Sequence, residues 1–380
     1  MEKSRRIHIL VIIKHPIGGI RSFLRDLYSQ FDPEHFKLTF LLPDTSELDA
    51  LRENLKATDC TFLILEQNAN ILVFVKTLFR VLNKSDIDVV HSNGFTAMII
   101  SVIPAFLYKK PHILTAHDTF TEKQFTKFKG MLKKVVLGVC FHFVDVIHSV
   151  SNDAQSNLLE YFPALRKKIS KLIVIPNGID TRRFLVDDRE DWRKQIGLEK
   201  ETFLIGFFGR FMAPKGFRYL IEAVDIISKM KKDYKFVVLA FGWGGFIREE
   251  QAEIELRGLQ DYFHFLPFQE NPAKAIRGID VVAIPSLWEA GPILPMEVLV
   301  AGVPIVGTDC RGLREVLLDT PARVVSAADS KALAEAIIEE IQSPSNETME
   351  QFRGEAIQRF NVTHQVKSLK LLIHKLVDKA

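Results

Sequence analysis

Short runs of apolar residues alternate with stretches of helical periodicity along the first half of the chain. The runs are rich in Val, Ile, Leu and Phe, which is typical of strands buried on both faces of a parallel sheet. Helices are predicted between them, most clearly over residues 71–82 and 95–107. The predicted strands span residues 7–13, 36–42, 60–65, 89–91, 111–117, 144–151 and 172–175. This rhythm predicts a doubly wound parallel α/β sheet.

The alternation resumes after a turn at residues 176–180, where the Asn-Gly pair is a strong turn signal. Strands are predicted over residues 202–208, 236–239 and 281–284, with helices from residue 217 and over residues 293–301 and 362–377. Gly302 and Pro304 close the second of these helices. The sequence therefore predicts two Rossmann-like domains, residues 1–178 and 179–361, followed by a last helix within residues 362–380.

Composition supports two globular domains, because the 380 residues are 47% hydrophobic and 26% charged. The three cysteines have no metal or redox spacing and suit a reducing compartment. A short basic leader, residues 1–6, runs straight into the first strand without a signal peptide. The longest apolar run, residues 95–108, is too short to span a bilayer. We expect a cytoplasmic protein.

Positive charge is concentrated in the first half, where residues 1–175 hold 23 Lys and Arg against 17 Asp and Glu. Lysines and apolar residues interleave over residues 123–135, which favours an amphipathic helix that contacts anionic lipid at the inner face of the membrane. A solvated charged face is an equal alternative. Nucleic acid is not expected as a partner, because no recognition motif accompanies the charge.

The richest candidate chemistry follows the strand at residues 281–284. Glu289 and Glu297 lie on either side of a turn and the start of a helix, formed by Gly291, Pro292, Ile293 and Leu294. Amides at a helix N-terminus favour anions. This arrangement suits a sugar nucleotide: one carboxylate binds sugar hydroxyls, the amides bind the diphosphate and the other carboxylate binds the ribose. Glutamates at this spacing are otherwise mostly solvated surface.

Other candidate residues also follow predicted strands. A Gly-Gly turn lets the backbone approach a ligand, with the amides of the next helix behind it. Two cations follow a later strand, where such residues are usually ordinary surface charge. Histidines at the end of a strand are more often structural, although ligands bind at this edge of α/β sheets. The candidates are Gly18, Gly19, His91, His117, Gly209, Arg210 and Lys215.

These motifs together resemble the family 4 retaining glycosyltransferases. The resemblance is carried by Pro285-Ser286, Glu289, Gly291-Pro292, Glu297 and residues 301–304, by Gly209-Arg210 with Lys215-Gly216, and by the linker at residues 176–180. Two departures lie in the main motif, where the family commonly has a Phe-Gly-Leu-Pro turn in place of Gly291-Pro292-Ile293-Leu294 and Ala in place of Val298. Pro267 and Arg311 also stand where the family commonly has Gly.

The resemblance implies a GT-B fold, in which two Rossmann-like domains face a cleft and the last helix returns to the first domain. It implies catalytic roles for His117, Arg210, Lys215 and Glu289. It also implies that the donor is held by Gly18, Gly19, Gly209, Arg210, Lys215, Leu266, Phe268, Glu289, Gly291, Pro292, Ile293, Leu294 and Glu297. The expected reaction is retaining transfer from a UDP- or GDP-linked sugar to a glycan or lipid-linked glycan, without a metal or other cofactor.

Three alternatives remain open from the sequence. A sugar-nucleotide epimerase or hydrolase would use the same fold without an acceptor. A catalytically silent binding protein is disfavoured because the cations and carboxylates of the motifs are all present. A nicotinamide-dependent dehydrogenase is disfavoured because Ile247 breaks the glycine fingerprint after Gly242.

Overall fold

The computed structural model describes residues 5–185, 188–230, 232, 234–269 and 271–379. The chain divides into two compact units, residues 1–178 with 362–380 and residues 179–361. Each unit is built on one parallel sheet.

The first unit contains a seven-stranded sheet in the order β3-β2-β1-β4-β5-β6-β7, with every neighbouring pair parallel. Strands β1 and β4 are wholly buried because helices cover both faces of the sheet. The strands are β1 (Ile7–Ile13), β2 (Phe36–Pro43), β3 (Cys60–Leu65), β4 (Val89–Asn93), β5 (His112–Ala116), β6 (Val146–Ser149) and β7 (Leu172–Val174).

Seven α-helices belong to the first unit among its described residues. They are α1 (Gly19–Tyr28), α2 (Leu48–Asn54), α3 (Ile71–Lys84), α4 (Phe95–Leu107), α5 (Phe128–Phe143), α6 (Asn152–Tyr161) and the last helix of the chain, Val362–Val377. The last helix buries Leu369 and Ile373. Its Lys370 Nζ donates to the Gln30 carbonyl at 2.9 Å and to Asp32 Oδ2 at 3.1 Å. This helix therefore packs beside the end of α1.

The second unit contains a six-stranded sheet in the order β10-β9-β8-β11-β12-β13, also parallel throughout. Its core is aromatic-rich and includes Phe207, Phe211 and Phe217. The strands are β8 (Phe203–Phe208), β9 (Phe236–Phe241), β10 (Phe263–Leu266), β11 (Val281–Ile284), β12 (Ile305–Thr308) and β13 (Arg323–Val325). The helices are α7 (Trp192–Ile196), α8 (Phe217–Ser228), α9 (Ile247–Leu256), α10 (Ala273–Arg277), α11 (Leu294–Ala301), α12 (Leu313–Leu317), α13 (Ser330–Gln342) and α14 (Asn346–Arg359); the last helix of the chain is α15.

Strand order reverses between β1 and β4 in the first sheet and between β8 and β11 in the second. Ligands of open α/β sheets bind outside the carboxyl ends of the strands at such switch points. The loops that follow these four strands carry the Gly18 turn, Gly94, residues 209–216 and residues 285–293. These loops are therefore the expected positions of a ligand site. None of the described helices is long and apolar enough to cross a bilayer.

Candidate functional site

Two loops of the second unit touch at its switch point. Gly216 adopts φ +64°, and a Cβ on it would lie 1.9 Å from the carbonyl oxygen of Pro285. The Leu287 amide donates to the Pro214 carbonyl at 2.8 Å, which joins the loops after β8 and β11. Only glycine accommodates both the left-handed backbone and this close approach. The Lys215-Gly216 motif is therefore held directly against the loop that carries Glu289.

Lys215 and Glu289 meet in this contact. The Lys215 ammonium donates to Glu289 Oε1 at 2.7 Å, and the Ser286 hydroxyl donates to the same oxygen at 2.8 Å. The Thr308 hydroxyl donates to the Ser286 carbonyl at 2.5 Å. The side chains of Lys215 and Glu289 retain 27% and 13% of their exposure. The two charges are thus fixed in place yet reachable by a ligand.

The loop that follows β12 also contacts Glu289. The Glu289 amide donates to the Arg311 carbonyl at 3.0 Å. Gly312 has φ +78°, and a Cβ there would lie 2.5 Å from the Glu289 carbonyl oxygen. Burial raises the pKa of the neighbouring Cys310 to about 11, and the Glu289 carboxylate adds to this shift. Cys310 is therefore a neutral thiol near neutral pH, packed behind the site.

Arg210 follows β8 on the same loop as Lys215 and is half-buried. Its guanidinium forms no ion pair with the carboxylates that the structure describes. The preceding Gly209 is approached closely by Gly242, which follows β9, since a Cβ on Gly242 would lie 1.8 Å from the Gly209 carbonyl oxygen. An arginine without a carboxylate partner can form a bidentate pair with a phosphate.

The predicted helix after Glu289 begins at Leu294 and ends at Ala301, and Gly302 caps it with φ +72°. Gly291 and Pro292 lie in the turn before it, and Ile293 is its N-cap residue. The first turn of an α-helix has amides without intrahelical acceptors, and they attract negative charge. Glu297 lies in this turn with 7% of its surface exposed. Its proposed contact with a ribose stays a prediction.

Leu266 and Phe268 lie at the end of β10, beside β9. The Leu266 carbonyl accepts from the Gly242 amide at 3.2 Å, and this hydrogen bond joins the ends of β10 and β9. Phe268 is 40% exposed. The aromatic ring is therefore accessible to a flat ligand.

The first unit places His117 directly after β5. Its Nε2 hydrogen-bonds Asn93 Oδ1 at 3.0 Å, and Phe23 packs against the ring with centroids 4.5 Å apart. Burial lowers the pKa of His117 to about 3, and the nearby His148 adds to this shift. A neutral imidazole whose Nε2 donates to Asn93 keeps Nδ1 as its acceptor. Gly18, with φ +59°, is the N-cap residue of α1, and Gly19 is the first residue of this helix.

A chain of hydrogen bonds crosses the interior of the first sheet. The Tyr28 hydroxyl contacts His91 Nδ1 at 2.6 Å, and His91 Nε2 contacts Thr115 Oγ1 at 2.7 Å. Thr115 Oγ1 contacts His148 Nδ1 at 2.9 Å, and His148 Nε2 contacts the Ile175 carbonyl at 2.8 Å. Since a carbonyl only accepts, His148 Nε2 carries a proton and donates it. This fixes which group donates and which accepts in every other hydrogen bond of the series. His91, a candidate from the sequence, is fully buried in this network and has a structural role.

The predicted lipid-contacting stretch differs in detail from the sequence interpretation. Residues 122–124 form a turn of 3-10 helix, and α5 begins only at Phe128. Phe125 packs inward against Phe120 and Tyr161, with centroids 5.4 and 5.6 Å apart. Phe125 therefore belongs to the core and does not extend the amphipathic surface.

The structure brings together Lys215 and Glu289, and it separately joins His117 to Asn93. Sequence reasoning missed Ser286 and Asn93 as partners of these residues. Both stand beside motif residues, since Ser286 begins the Glu289 turn and Asn93 ends β4. No group of three His, Cys, Asp or Glu side chains in the described ranges could hold a metal ion.

Comparisons with known proteins agree with this geometry. Residues 188–359 match the family described as glycosyl transferases group 1, and residues 17–183 match glycosyltransferase family 4. Over 170 residues the chain is 28% identical to the lipopolysaccharide core biosynthesis mannosyltransferase LpsB of Rhizobium meliloti (strain 1021), covering 43% of this chain and 48% of that one. Over 264 residues it is 27% identical to a phosphatidyl-myo-inositol mannosyltransferase of Mycobacterium leprae (strain TN), covering 68% and 65%. The chain thus spans about half to two-thirds of the length of these relatives.

The fold is similar to that of the Anabaena protein HepE, whose crystal structure contains UDP and glucose. The TM-score is 0.81 at 19% sequence identity, and the match covers 97% of this chain and 100% of that one. The predicted GT-B fold is thereby confirmed.

Proposed function

Because the chain belongs to the group 1 and family 4 glycosyltransferases, we propose that it transfers a sugar from a nucleotide diphosphate to a hydroxyl group. The acceptor is a glycan or a lipid-linked glycan of cell-surface polysaccharide or glycolipid synthesis. The names of the two mannosyltransferase relatives support this acceptor class. The UDP complex of the structural neighbour supports a nucleotide-sugar donor, UDP- or GDP-linked.

The observation that carries this proposal is the Lys215–Glu289 pair at the switch point of the second sheet. As the glycosidic bond breaks, negative charge accumulates on the departing diphosphate. Preorganised donors at that position lower the barrier because they need no reorganisation during the reaction. The Lys215 ammonium, the Arg210 guanidinium and the amides at the start of α11 are such donors, and Glu289 accepts hydrogen bonds from the transferred sugar.

The transfer proceeds with retention of anomeric configuration and without a divalent ion in this proposal. The acceptor hydroxyl attacks from the face that the diphosphate leaves, and the departing phosphate oxygen takes its proton. In the first unit, His117 is neutral and oriented by Asn93, and its Nδ1 can accept a hydrogen bond from a sugar hydroxyl. The reaction takes place on the cytoplasmic side, at the inner face of the membrane.

A thermal-shift panel with UDP, GDP and ADP tests the donor class. A ligand at about 100 times its Kd stabilises the native state by about 2.7 kcal/mol. That corresponds to a rise in Tm of roughly 5–10 °C for units of this size. The matched control is Arg210→Ala, which should lose most of the shift. No shift with any nucleotide would contradict nucleotide-sugar binding.

The chemistry is tested with the sugar nucleotide that the panel identifies. NMR of the glycoside product reports its anomeric configuration, and a parallel reaction with excess chelator reports metal dependence. Inversion, or loss of rate with chelator, would refute those two parts of the mechanism. Release of free sugar or an epimerised donor without transfer would support the hydrolase or epimerase alternative. Tight binding without turnover would support a silent binding protein.

A further inference from the structure

Helix α5 has two apolar faces, and only one of them is covered by the first unit. At about 100° per residue, Leu137, Cys140 and Phe141 share one face, and all three are buried. The opposite face is apolar from Phe128 to Val139 and lies exposed to solvent, with Phe128 at 79% exposure, and His142 lies on it at the end of the helix. This outward face consists of Phe128, Met131, Leu132, Val135, Val136, Val139 and Phe143.

Lysines flank the outward face and do not interrupt it. On the same helical projection, Lys129 borders the outward face, and Lys133 and Lys134 lie further round on its two sides, towards the buried face. The Lys134 Nζ lies 5.5 Å from the centroid of the Phe125 ring. All three lysines are exposed. Long lysine side chains can extend their ammonium groups past an apolar surface while their stems remain against it. The arrangement is therefore an apolar ridge with positive charge on both sides.

The ridge continues onto α4 and is bordered by further lysines. Phe106 packs edge-on against Phe143 with centroids 5.0 Å apart, and Ile103 and Leu107 are exposed beside it. At the C-terminal end of α5, Lys171 Nζ donates to the carbonyls of His142 and Val144. Residues 103–143 hold seven lysines and two acidic residues. Continuous exposed apolar surface of this kind is uncommon on monomeric proteins and marks an interaction site.

We propose that the outer faces of α4 and α5 bind the surface of an anionic lipid bilayer. The apolar side chains enter the boundary between headgroups and acyl chains, and the lysines contact anionic headgroups. A second copy of this chain is a poorer occupant, because a two-fold interface places a surface against itself and would oppose lysine to lysine. The surface extends well beyond the predicted stretch at residues 123–135.

The position of the ridge relates it to the candidate site of the first unit. In a parallel α/β sheet a helix that follows a strand begins at the carboxyl edge, so Phe128 lies towards the edge that carries Gly18 and His117. A lipid-linked acceptor in the bilayer could therefore reach this edge without leaving the membrane. Lipid binding itself does not depend on the proposed transfer reaction, and co-sedimentation can measure it without donor or acceptor.

Co-sedimentation of the full chain with vesicles tests the proposal. Vesicles of phosphatidylcholine alone are compared with vesicles containing phosphatidylglycerol, at about 0.1 M and about 1 M salt, where the Debye length falls from about 10 to about 3 Å. We expect strong binding only to the anionic vesicles at low salt. Lys129→Gln with Lys133→Gln should weaken binding about 25-fold, since each lysine near such a surface contributes about fivefold. Phe128→Ser and Leu132→Ser should each weaken it about tenfold or more.

Matched controls come from exposed positions of the second unit. Leu256, 82% exposed on α9, gives the apolar control Leu256→Ser, and Lys194→Gln with Lys200→Gln gives the charge control. Neither control should change binding, and thermal unfolding of all variants should match the wild type. Binding that ignores anionic lipid and salt, or that survives the α5 substitutions, would overturn the proposal. So would a dimer in sedimentation velocity that dissociates on Phe128→Ser, since it would show a second copy on this face.

Discussion

Replacing Lys215 by methionine removes the ammonium that donates to Glu289 at 2.7 Å and keeps most of the side chain's volume. The pair then changes from a net charge of zero to a net charge of −1, beside the position proposed for the diphosphate. Binding of the nucleoside diphosphate should weaken for this reason alone. Adding Glu289→Gln returns the pair to zero charge and should restore binding to within about tenfold of the wild type, a difference of about 1.4 kcal/mol.

Turnover should not recover in the same way. Charge that develops on the leaving diphosphate gains from a cation already in place, and an uncharged methionine cannot supply this interaction. Losing one such donor costs about 2.7–4 kcal/mol, or roughly a hundred- to a thousandfold in turnover. The comparison is made between Glu289→Gln and the double variant, so that any loss of contact between Glu289 and the sugar is common to both.

Stability gives an independent measure of the same pair. The Glu289 side chain retains 13% of its exposure, and the Ser286 hydroxyl still donates to it when Lys215 is absent. Leaving this carboxylate without its cation should cost about 1–2 kcal/mol in Lys215→Met. Since about 1 kcal/mol shifts Tm by about 2–4 °C at this size, the decrease should be a few degrees. The double variant should recover most of it.

The assay measures release of nucleoside diphosphate at saturating donor, together with calorimetric binding of the free nucleoside diphosphate. Lys229→Met is the matched control, because Lys229 pairs with Asp225 at 2.7 Å at the other end of α8. It should leave turnover and binding unchanged. If the double variant turned over as fast as Glu289→Gln at saturating donor, Lys215 would serve binding alone and the electrostatic argument would be refuted.

Three further outcomes follow from the geometry. Gly216→Ala should destabilise the second unit and abolish nucleotide protection in thermal shift, because its Cβ would meet Pro285 O at 1.9 Å; Gly197→Ala, with φ +73° and open space, should show only the backbone strain of about 1–2 kcal/mol. Asn93→Asp places a carboxylate beside His117 Nε2 and should raise the pKa of His117, so an inflection should appear in the kcat/KM pH profile that the wild type lacks. Burial lowers the pKa of four histidines of the first unit, to about 3 or 4 in three of them, so the unfolded chain binds more protons below about pH 6.5. The free energy of unfolding, and with it the urea midpoint, should therefore fall as the pH is lowered from about 6.5 to about 4, and a constant midpoint would contradict this. The four are His91, His112, His117 and His148.

Local pattern was sufficient for most elements of the fold. The predicted strand at residues 281–284 and the last helix at 362–377 have the same bounds in the structure. The apolar run and the helical periodicity that predict them arise from burial on a sheet and on a helix face. The sixth strand is shorter than predicted, since Val144 closes α5 and the Ser151 hydroxyl caps α6 by accepting from Ala154 N. At both ends of the predicted strand there are residues that are buried without pairing in the sheet, and hydropathy reports only burial.

The identities of the candidate site residues also came from the sequence, because motif spacing places them after strands whose carboxyl ends share one edge. What the sequence could not decide is which side chains meet. Lys215 and Glu289 are 74 positions apart, and His117 and Asn93 are 24 apart; both contacts depend on the order of strands in the sheets. The same holds for α5, where the sequence shows apolar residues around the helix and only packing decides that Leu137 is covered while Phe128 is exposed. A chain determines its periodicities locally, whereas partners and exposed faces are set by contacts between residues that are distant in sequence.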